Sequence, residues 1–292
     1  MSARSAPPIA RVGVVGGGQM GAGIAEVAAR AGLDVVLVEL DAPLRDRARA
    51  RVELALVRAA ERGKVKRGDV DEALAHLRWS DDLGDLADRE LVIEAVVEDK
   101  QAKLAVFGRL ASIVELDEAI LASNTSSIPI VELATAAGDR AAHVLGLHFF
   151  NPVPVLALVE LIPSLLTDEA QLARARAFVE QQLGKQPILA PDRAGFTVNA
   201  LLIPYVLSAI RMFEQGLATA QDIDDGMVKG CAHPMGPLAL ADLIGLDTVL
   251  SVAETLYGEH REQLYAPPPL LQRLVAAGLL GRKSGRGLYS YA

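Results

Sequence analysis

A glycine-rich turn directly follows the first apolar run of the chain, in the segment RVGVVGGGQMGAGIA. Gly16, Gly18 and Gly21 have the spacing G-x-G-x-x-G, and the small residues around the last of them are typical of the start of a closely packed helix. In such a strand-turn-helix unit the first glycine permits a tight turn and the second lets the backbone approach a pyrophosphate. The third allows the helix to pack on the strand with its amino terminus toward the phosphates. The segment therefore predicts a βαβ unit that binds a dinucleotide.

Two further features of this region favour NAD as the dinucleotide. Gln19 and Met20 lie between the second and third glycines, and we expect them to contact the cofactor together with the glycines. Glu39 ends the second apolar run, DVVLVE. A carboxylate at that position accepts hydrogen bonds from the ribose hydroxyls and repels the additional phosphate of NADP. We therefore expect NAD as cofactor.

Short apolar runs alternate with helical patterns as far as about residue 190, which predicts βαβ units and a parallel sheet. The runs that read as buried strands are RVGVVG, DVVLVE, ELVIEAV, AILAS and HVLGLHF. After the turn-forming segment APDRAG we expect helices over 196–215, 220–230, 236–257 and 267–277. The predicted fold class is α/β, a Rossmann-type doubly wound and mostly parallel sheet, followed by an all-α C-terminal domain. The predicted domains are residues 1–190 and 191–292.

Composition excludes several classes of partner and site. The net charge of −8 repels nucleic acid, and the chain has neither a leader-like apolar start nor an apolar run long enough to span a bilayer. We expect a cytoplasmic protein without a membrane segment or a nucleic-acid partner. Cys231 is the only cysteine, which excludes an intrachain disulfide and a cysteine-based zinc site, and a buried thiol is expected. No metal is predicted.

One segment opposes the overall charge. Between Arg45 and Arg67 the chain has nine basic and three acidic residues. A run of this kind forms either a solvated helix face or a binding surface for phosphates, and the pattern by itself leaves both interpretations open.

A histidine and a glutamate occupy the ends of two neighbouring extended runs. His148 ends HVLGLHF, where a parallel sheet places its ligands, although a lone histidine at a strand end is more often structural. Glu160 ends the next run, VLALVE, and could return to the same edge. Together the two residues form a candidate base and its orienting carboxylate.

Motifs along nearly the whole chain resemble the 3-hydroxyacyl-CoA dehydrogenase family. They are, in order, GGGQMGAGIAEVAA, VVLVE, LVIEAVVED, ASNTSS, GLHFFNPVPV, GFTVN, HPMGPLALADLIGLD and GRKSGRGLYSY. The length is similar to that of the short monofunctional members, including bacterial enzymes for 3-hydroxybutyryl-CoA. The resemblance implies NAD-dependent oxidation of L-3-hydroxyacyl-CoA to 3-oxoacyl-CoA, and the reverse. It also implies a helical hairpin inserted in the first domain and a homodimer formed through the C-terminal helical domain, where Asp242 is expected to cap or bridge.

Carried onto matching positions, the resemblance gives the catalytic residues their roles. His148 is expected to remove the proton of the 3-hydroxyl, while Glu160 fixes the histidine tautomer and stabilises the imidazolium. Ser126, in the segment SNTSS, and Asn199, in GFTVN, match residues that hydrogen-bond the reacting oxygen of the substrate.

The resemblance also assigns binding residues. Asn151 is expected near the nicotinamide ribose, Glu98 against the cofactor, and Lys103 at both the cofactor and the acyl-CoA. Arg62 and Lys64 match basic positions of the hairpin that meets the CoA phosphates, which favours binding over a merely solvated face. Ala55 departs from the pattern, because some relatives have a CoA-binding serine nearby.

Two other functions remain compatible with this fold. One is a dehydrogenase of free 3-hydroxy acids, although such a substrate has no phosphates and needs no phosphate-binding site away from the reacting carbon. The other is a non-catalytic NAD-binding protein, which the presence of Ser126, His148, Glu160 and Asn199 argues against.

Overall fold

The computed structural model describes residues 7–291, and the chain divides after Asp192 into two compact units. The first unit contains an eight-stranded sheet. Its strands are β1 (Arg11–Val15), β2 (Asp34–Val38), β3 (Leu77–Ser80), β4 (Leu91–Glu94), β5 (Ile120–Ser123), β6 (Val144–Phe149), β7 (Leu158–Pro163) and β8 (Gln186–Leu189). The order is β3-β2-β1-β4-β5-β6-β7-β8; β1 to β6 are parallel, and β7 runs antiparallel to β6. The predicted Rossmann-type sheet is confirmed.

The five predicted strands, β1, β2, β4, β5 and β6, are almost entirely buried. Every residue of β4, β5 and β6 is buried, which explains their nearly continuous apolar sequences. The sequence did not predict β3 and β8, which lie at the two edges of the sheet. Arg78 of β3 and Gln186 of β8 are exposed, so neither strand has the apolar run by which the others are recognised.

Six α-helices of the described chain accompany this sheet. They are α1 (Gln19–Arg30), α2 (Ala42–Glu61), α3 (Arg67–Ala75), α4 (Lys100–Ile113), α5 (Ile130–Ala136) and α6 (Glu169–Ala177). Helices α2 and α3 form the hairpin between β2 and β3. Helix α2 begins after Asp41, whose side chain accepts a hydrogen bond of 2.8 Å from the Leu44 amide. The hairpin turns at Gly63, with a positive φ of 67°.

Helix α2 has only a narrow buried stripe, formed by Ala48, Val52 and Leu56. Most of its remaining circumference is at least partly exposed, and its basic side chains extend from it. The basic segment is therefore the exposed part of this hairpin.

The second unit consists of helices. They are α7 (Val198–Glu214), α8 (Ala220–Cys231), α9 (Pro237–Ile244), α10 (Leu246–His260) and α11 (Pro269–Ala276). The single helix predicted over 236–257 is wrong, because Gly245, with a φ of 103°, separates α9 from α10. The prediction of a buried thiol is also wrong, because Cys231 is exposed at the end of α8.

Asp242 bridges α9 to the last ten described residues. Its carboxylate accepts hydrogen bonds of 2.9 Å from the amides of Leu288 and Tyr289 and from the hydroxyl of Tyr291. A Cβ atom at Gly287 would lie 2.1 Å from the carboxylate, so the glycine permits this close approach. Burial, together with the hydrogen bond to Asp242, raises the pKa of Tyr291 to about 12. The stabilisation from this bond is therefore complete below the ordinary tyrosine pKa of 10.0 and is lost as the pH rises toward 12.

We predict that Asp242→Asn lowers the free energy of unfolding by about 2 to 4 kcal/mol, because an amide group then faces three hydrogen-bond donors in a buried site. Thermal and urea unfolding followed by circular dichroism measure this loss. Asp247→Asn is the control: Asp247 pairs with Lys283 at the surface and should cost about 1 kcal/mol or less. Equal losses in the two variants would contradict the bridging role of Asp242.

Candidate active site

The glycine turn between β1 and α1 is shaped by contacts that exclude side chains. Gly16 has a φ of 93°, and a Cβ atom there would lie 2.8 Å from the Ala95 carbonyl oxygen. A Cβ atom at Gly21 would lie 1.8 Å from the Gly16 carbonyl oxygen. A Cβ atom at Gly18 would meet no atom within 4 Å, so space is open at the amino terminus of α1. The turn therefore has the geometry that a dinucleotide pyrophosphate requires.

Glu39 follows β2 at the same edge of the sheet. Its Oε1 atom accepts a hydrogen bond of 2.6 Å from the Gly17 amide. Arg51 donates from the opposite side, with its Nη1 atom 2.5 Å from the Gly17 carbonyl oxygen. The carboxylate at the predicted ribose position is thus tied directly to the glycine turn.

A buried ion-pair network lies at the ends of β4 and β5. Lys103 of α4 is 1% exposed, and its Nζ atom lies 2.6 Å from Glu94 Oε1 and 3.3 Å from Glu98 Oε2. Glu94 also accepts hydrogen bonds of 2.6 Å from the Ser123 hydroxyl and 2.7 Å from the Val96 amide. The network joins two strand ends to one helix.

Glu98 organises the turn after β5. Its Oε1 atom accepts hydrogen bonds from the hydroxyls of Thr125 at 2.6 Å, Ser127 at 2.9 Å and Ser126 at 3.2 Å, and from the Ser126 amide at 2.9 Å. Burial alone would raise the pKa of Glu98, but the Lys103 ammonium and these hydrogen bonds outweigh it and hold the pKa below its ordinary value. Glu98 is therefore an ionised carboxylate that fixes Ser126.

These contacts favour an indirect role for Lys103. The sequence predicts that it contacts the cofactor and the acyl-CoA, yet its ammonium is enclosed by Glu94 and Glu98. In this arrangement its contribution is to neutralise and hold Glu98, which in turn positions Ser126.

His148 and Glu160 are cross-strand partners in the antiparallel pair β6 and β7. His148 Nδ1 lies 2.6 Å from Glu160 Oε2, and the two side chains are only 7% and 0% exposed. The extended run does not end at Glu160 as the sequence suggested; β7 continues to Pro163, which places Glu160 inside the strand. This position, directly opposite the histidine, brings the two groups together without a crossover connection.

The backbone after His148 is held by two asparagines. Asn124, at the end of β5, accepts a hydrogen bond of 2.9 Å from the Phe149 amide. Asn151 accepts one of 3.1 Å from the Gln19 side chain, at the start of α1. The second bond links the histidine's loop to the glycine turn, so the structure brings these two predicted regions together.

A groove of about 660 Å³ lies between α1, the basic hairpin and the loop after β6. Arg62 and Lys64, both predicted from the sequence, line it together with Arg51 and Arg58. Its apolar lining includes Ala22, Val52, Ala55, Ala59, Val153 and Val155. Gln19 and Asn151 also line the groove, which therefore extends from the basic hairpin to the glycine turn.

Two predicted site residues stand apart from these clusters. Met20 packs, half-buried, against the core of the first unit. Asn199 belongs to the second unit, in the first turn of α7, and its role stays a prediction.

The sequence analysis missed Glu94 and Asn124. Glu94 was detectable as the one charged residue that ends the apolar run LVIE. Asn124 lies in ASNTSS, which was singled out for Ser126 alone, and its bond to the Phe149 amide depends on the pairing of β5 with β6.

Neither a metal-binding cluster of side chains nor a membrane-spanning helix occurs among residues 7–291. No group of three or more histidine, cysteine, aspartate or glutamate residues there is arranged to hold a metal ion. In the same range, no helix combines the length and apolar character needed to cross a bilayer.

Solved structures with similar folds cover nearly all of the chain. A crystal structure of FadB2 from Mycobacterium tuberculosis superposes with a TM-score of 0.96 at 55% identity, over 98% of this chain and 100% of that one. A crystal structure of (S)-3-hydroxybutyryl-CoA dehydrogenase from Ralstonia eutropha gives a TM-score of 0.91 at 45% identity, over 97% and 99%.

Sequence comparisons agree with the structural ones. A 3-hydroxybutyryl-CoA dehydrogenase of Mycobacterium tuberculosis is 56% identical over 283 residues, covering 97% of this chain and 99% of the relative. The model of the 3-hydroxyacyl-CoA dehydrogenase NAD binding domain matches residues 11–193, and that of the C-terminal domain matches residues 195–291. With both domain models matched in order and a close relative aligned over nearly its full length, the chain belongs to the 3-hydroxyacyl-CoA dehydrogenase family.

Proposed function

We propose that the protein catalyses the NAD-dependent oxidation of short-chain L-3-hydroxyacyl-CoA, such as 3-hydroxybutyryl-CoA, to the 3-oxoacyl-CoA, and the reverse reaction. The observation that carries this proposal is the buried contact of 2.6 Å between His148 Nδ1 and Glu160 Oε2. It lies on a sheet whose carboxyl edge also carries the glycine turn, and the loop after His148 is bonded to that turn through Asn151.

The residues at the glycine turn fit a nicotinamide dinucleotide. The open space at Gly18, the amino terminus of α1 and the carboxylate of Glu39 would hold its pyrophosphate and ribose. NAD, when bound, supplies the acceptor for the hydride that leaves the 3-carbon of the substrate. Glu98 follows β4 and Asn151 follows β6, the two strands that flank β5, and both residues would border the same ligand.

His148 acts as the general base in the oxidative direction. Its contact with Glu160 fixes a proton on Nδ1, so that Nε2 carries the lone pair that accepts the 3-hydroxyl proton. The carboxylate then stabilises the imidazolium that forms. Glu160 acts through the histidine rather than on the substrate.

Ser126 and Asn199 donate hydrogen bonds to the reacting oxygen as negative charge develops on it. Support for the first assignment comes from Glu98, which accepts a hydrogen bond of 2.9 Å from the Ser126 amide and so fixes the backbone of this residue. The Ser126 hydroxyl, which donates to Glu98 at 3.2 Å, must rotate away from that carboxylate to donate its one hydrogen to the substrate. The second assignment rests on the family motif GFTVN.

The groove beside the basic hairpin takes the CoA moiety. Arg62, Lys64, Arg51 and Arg58 suit its phosphates, and the apolar lining suits the pantetheine chain. Ala55 lines the groove but offers no hydroxyl, so the contact that some relatives make with a serine is lost here. A free 3-hydroxy acid would leave this charged groove without a partner.

The experiment that tests the function compares NADH formation from (S)-3-hydroxybutyryl-CoA, from its N-acetylcysteamine thioester and from the free acid. We expect the CoA thioester to be the best substrate. The double variant Arg62→Glu and Lys64→Glu should raise the KM for the CoA thioester about tenfold or more, because each charge reversal repels phosphate. The KM for the N-acetylcysteamine thioester, which lacks phosphates, and the KM for NAD should change little. Equal losses for both thioesters would contradict the proposed groove, and a preference for the free acid would contradict the substrate class.

We predict that His148→Gln lowers kcat about 100-fold or more, the usual effect of removing a positioned base. Glu160→Gln should also lower kcat, because an amide no longer fixes the histidine tautomer. NADH affinity, measured by fluorescence titration, should be little changed in both variants. His143→Gln serves as the control, since His143 lies outside the site and bonds Gln171. Near-normal turnover in His148→Gln, or loss of NADH binding with activity, would show that His148 is not the base.

We also propose that residues 1–190 form the NAD-binding domain, and that residues 191–292 complete the substrate site and form a homodimer interface in a cytoplasmic enzyme. Leu201 of α7 and Leu243 of α9 are 73% and 50% exposed, which suits an apolar interface. Sedimentation velocity should give twice the chain mass of 30.9 kDa. Leu201→Lys with Leu243→Lys should shift the protein toward monomer, whereas Leu165→Lys, on the first unit, should not. A monomeric wild type would contradict the dimer.

A further inference from the structure

A buried lysine lies behind the wall of the groove and is not used by the proposed chemistry. Lys185, which directly precedes β8, is only 8% exposed. Its Nζ atom donates hydrogen bonds of 2.6 Å to the Val153 carbonyl oxygen and 2.7 Å to the Leu156 carbonyl oxygen. Within the described part of the chain, both of its acceptors are main-chain carbonyls and neither is a carboxylate.

This placement is costly for an ammonium group. Burial lowers the pKa of Lys185, and the nearby Arg30 guanidinium lowers it further. An apolar side chain would fill the same space without this cost, so the two hydrogen bonds are the feature that distinguishes lysine at this position.

The segment that Lys185 holds, residues 151–157, is short of internal hydrogen bonds. Pro152 and Pro154 have no amide hydrogen to donate. The amides of Val155 and Leu156 both bond the Pro152 carbonyl oxygen at 3.0 Å, which forms a turn but leaves the later carbonyls to other donors. Lys185 supplies these donors at two points of the segment.

The segment carries groove residues on its other side. Pro152, Val153, Pro154 and Val155 line the groove, and Val155 is 59% exposed. Asn151, at the start of the segment, bonds Gln19 of the glycine turn. The carbonyl groups of Val153 and Leu156 thus face the lysine, while the side chains of Pro152, Pro154 and Val155 remain exposed along the groove.

Helix α1 packs closely against the same segment. A Cβ atom at Gly23 would lie 2.9 Å from the Val153 Cβ atom, closer than two carbon atoms can approach. Val153 is therefore held by two contacts: its side chain packs against Gly23, and its carbonyl oxygen accepts a hydrogen bond from Lys185.

We propose that Lys185 is a positioning residue for acyl-CoA binding, which fixes the backbone at Val153 and Leu156 so that the wall of the groove stands where the CoA moiety binds. This inference rests on the proposal that the groove takes CoA. Lys185 itself touches no substrate.

The test is Lys185→Met, which keeps the apolar stem and removes the donors. We expect the KM for 3-hydroxybutyryl-CoA to rise roughly tenfold, because two charge-assisted hydrogen bonds to the wall are lost. The kcat should stay within about threefold, because the contact between His148 and Glu160 does not involve the lysine. Hydrogen exchange should accelerate at the amides of Val155 and Leu156. Lys229→Met, at an exposed lysine that pairs with Asp225, is the control and should behave as the wild type.

A folded Lys185→Met protein with wild-type KM and wild-type exchange at these amides would overturn the inference. If that variant fails to fold, Lys185→Gln decides, since it keeps a hydrogen-bond donor but loses the charge and one methylene group of reach. A raised KM for the CoA thioester with kcat preserved supports the inference, and an unchanged KM overturns it.

The charge-reversal variant of Arg62 and Lys64, assayed in parallel, separates the two proposals. If it raises the KM and Lys185→Met does not, only the role of Lys185 is wrong. If neither raises the KM, the proposed CoA groove is itself wrong.

Discussion

The antiparallel return of β7 against β6 is the constraint on which the rest of the site depends. Strands β1 to β6 are parallel, so each connection between them has to return the chain to the edge of the sheet where the strands begin. The reversal after β6 lets two residues only twelve positions apart face each other, which a parallel pair cannot do. Glu160 is completely buried, and a buried carboxyl group is costly unless it has hydrogen-bonding partners. The imidazole of His148 is one such partner, so the contact contributes to stability as well as to the proposed chemistry.

The same reversal creates the loop between β6 and β7. This loop contributes both to the surroundings of the proposed base and to the groove. One end of the loop follows the proposed base, and its middle forms the wall of the groove. A second rigid part of the site lies at the end of β4, near the centre of the sheet. There the ammonium of Lys103, from α4, pairs with the carboxylates of Glu94 and Glu98. The candidate site thus stands on strand ends whose side chains are fixed by buried charges, while the exposed hairpin supplies cations that need no such precision.

Periodicity and glycine spacing were enough to predict the central strands, the glycine turn and the division into a sheet and a helical part. The edge strands β3 and β8 were not predicted, because they have exposed polar residues in place of a continuous apolar run. The break between α9 and α10 at Gly245 was not predicted, because the apolar pattern continues through it. The pattern of extended runs paired His148 with Glu160 as a candidate base and carboxylate, whereas resemblance to a family supplied their roles toward the 3-hydroxyl and the role of the hairpin. Neither the sequence pattern nor the family resemblance predicted the partners of Glu94, Asn124 and Lys185. The partners of Glu94 and Asn124 depend on which strands pair, and those of Lys185 are main-chain carbonyl groups, which a side-chain pattern does not reveal. The buried ammonium of Lys103 likewise depends on two carboxylates meeting in space.

The basic hairpin gives the protein an uneven electric field. The chain as a whole carries a charge of −8, yet nine cations and only three anions are concentrated between Arg45 and Arg67. A polyanionic ligand is repelled by most of the surface and attracted at one place, so its diffusive approach is guided toward the hairpin before any contact forms. Such steering increases the rate of encounter and orients the ligand so that its phosphates reach the hairpin first. The uncharged end of the ligand remains mobile at that stage and can then enter the site. Because long-range fields are screened over about 10 Å at 0.1 M salt, the advantage belongs to the association step and weakens as ionic strength rises.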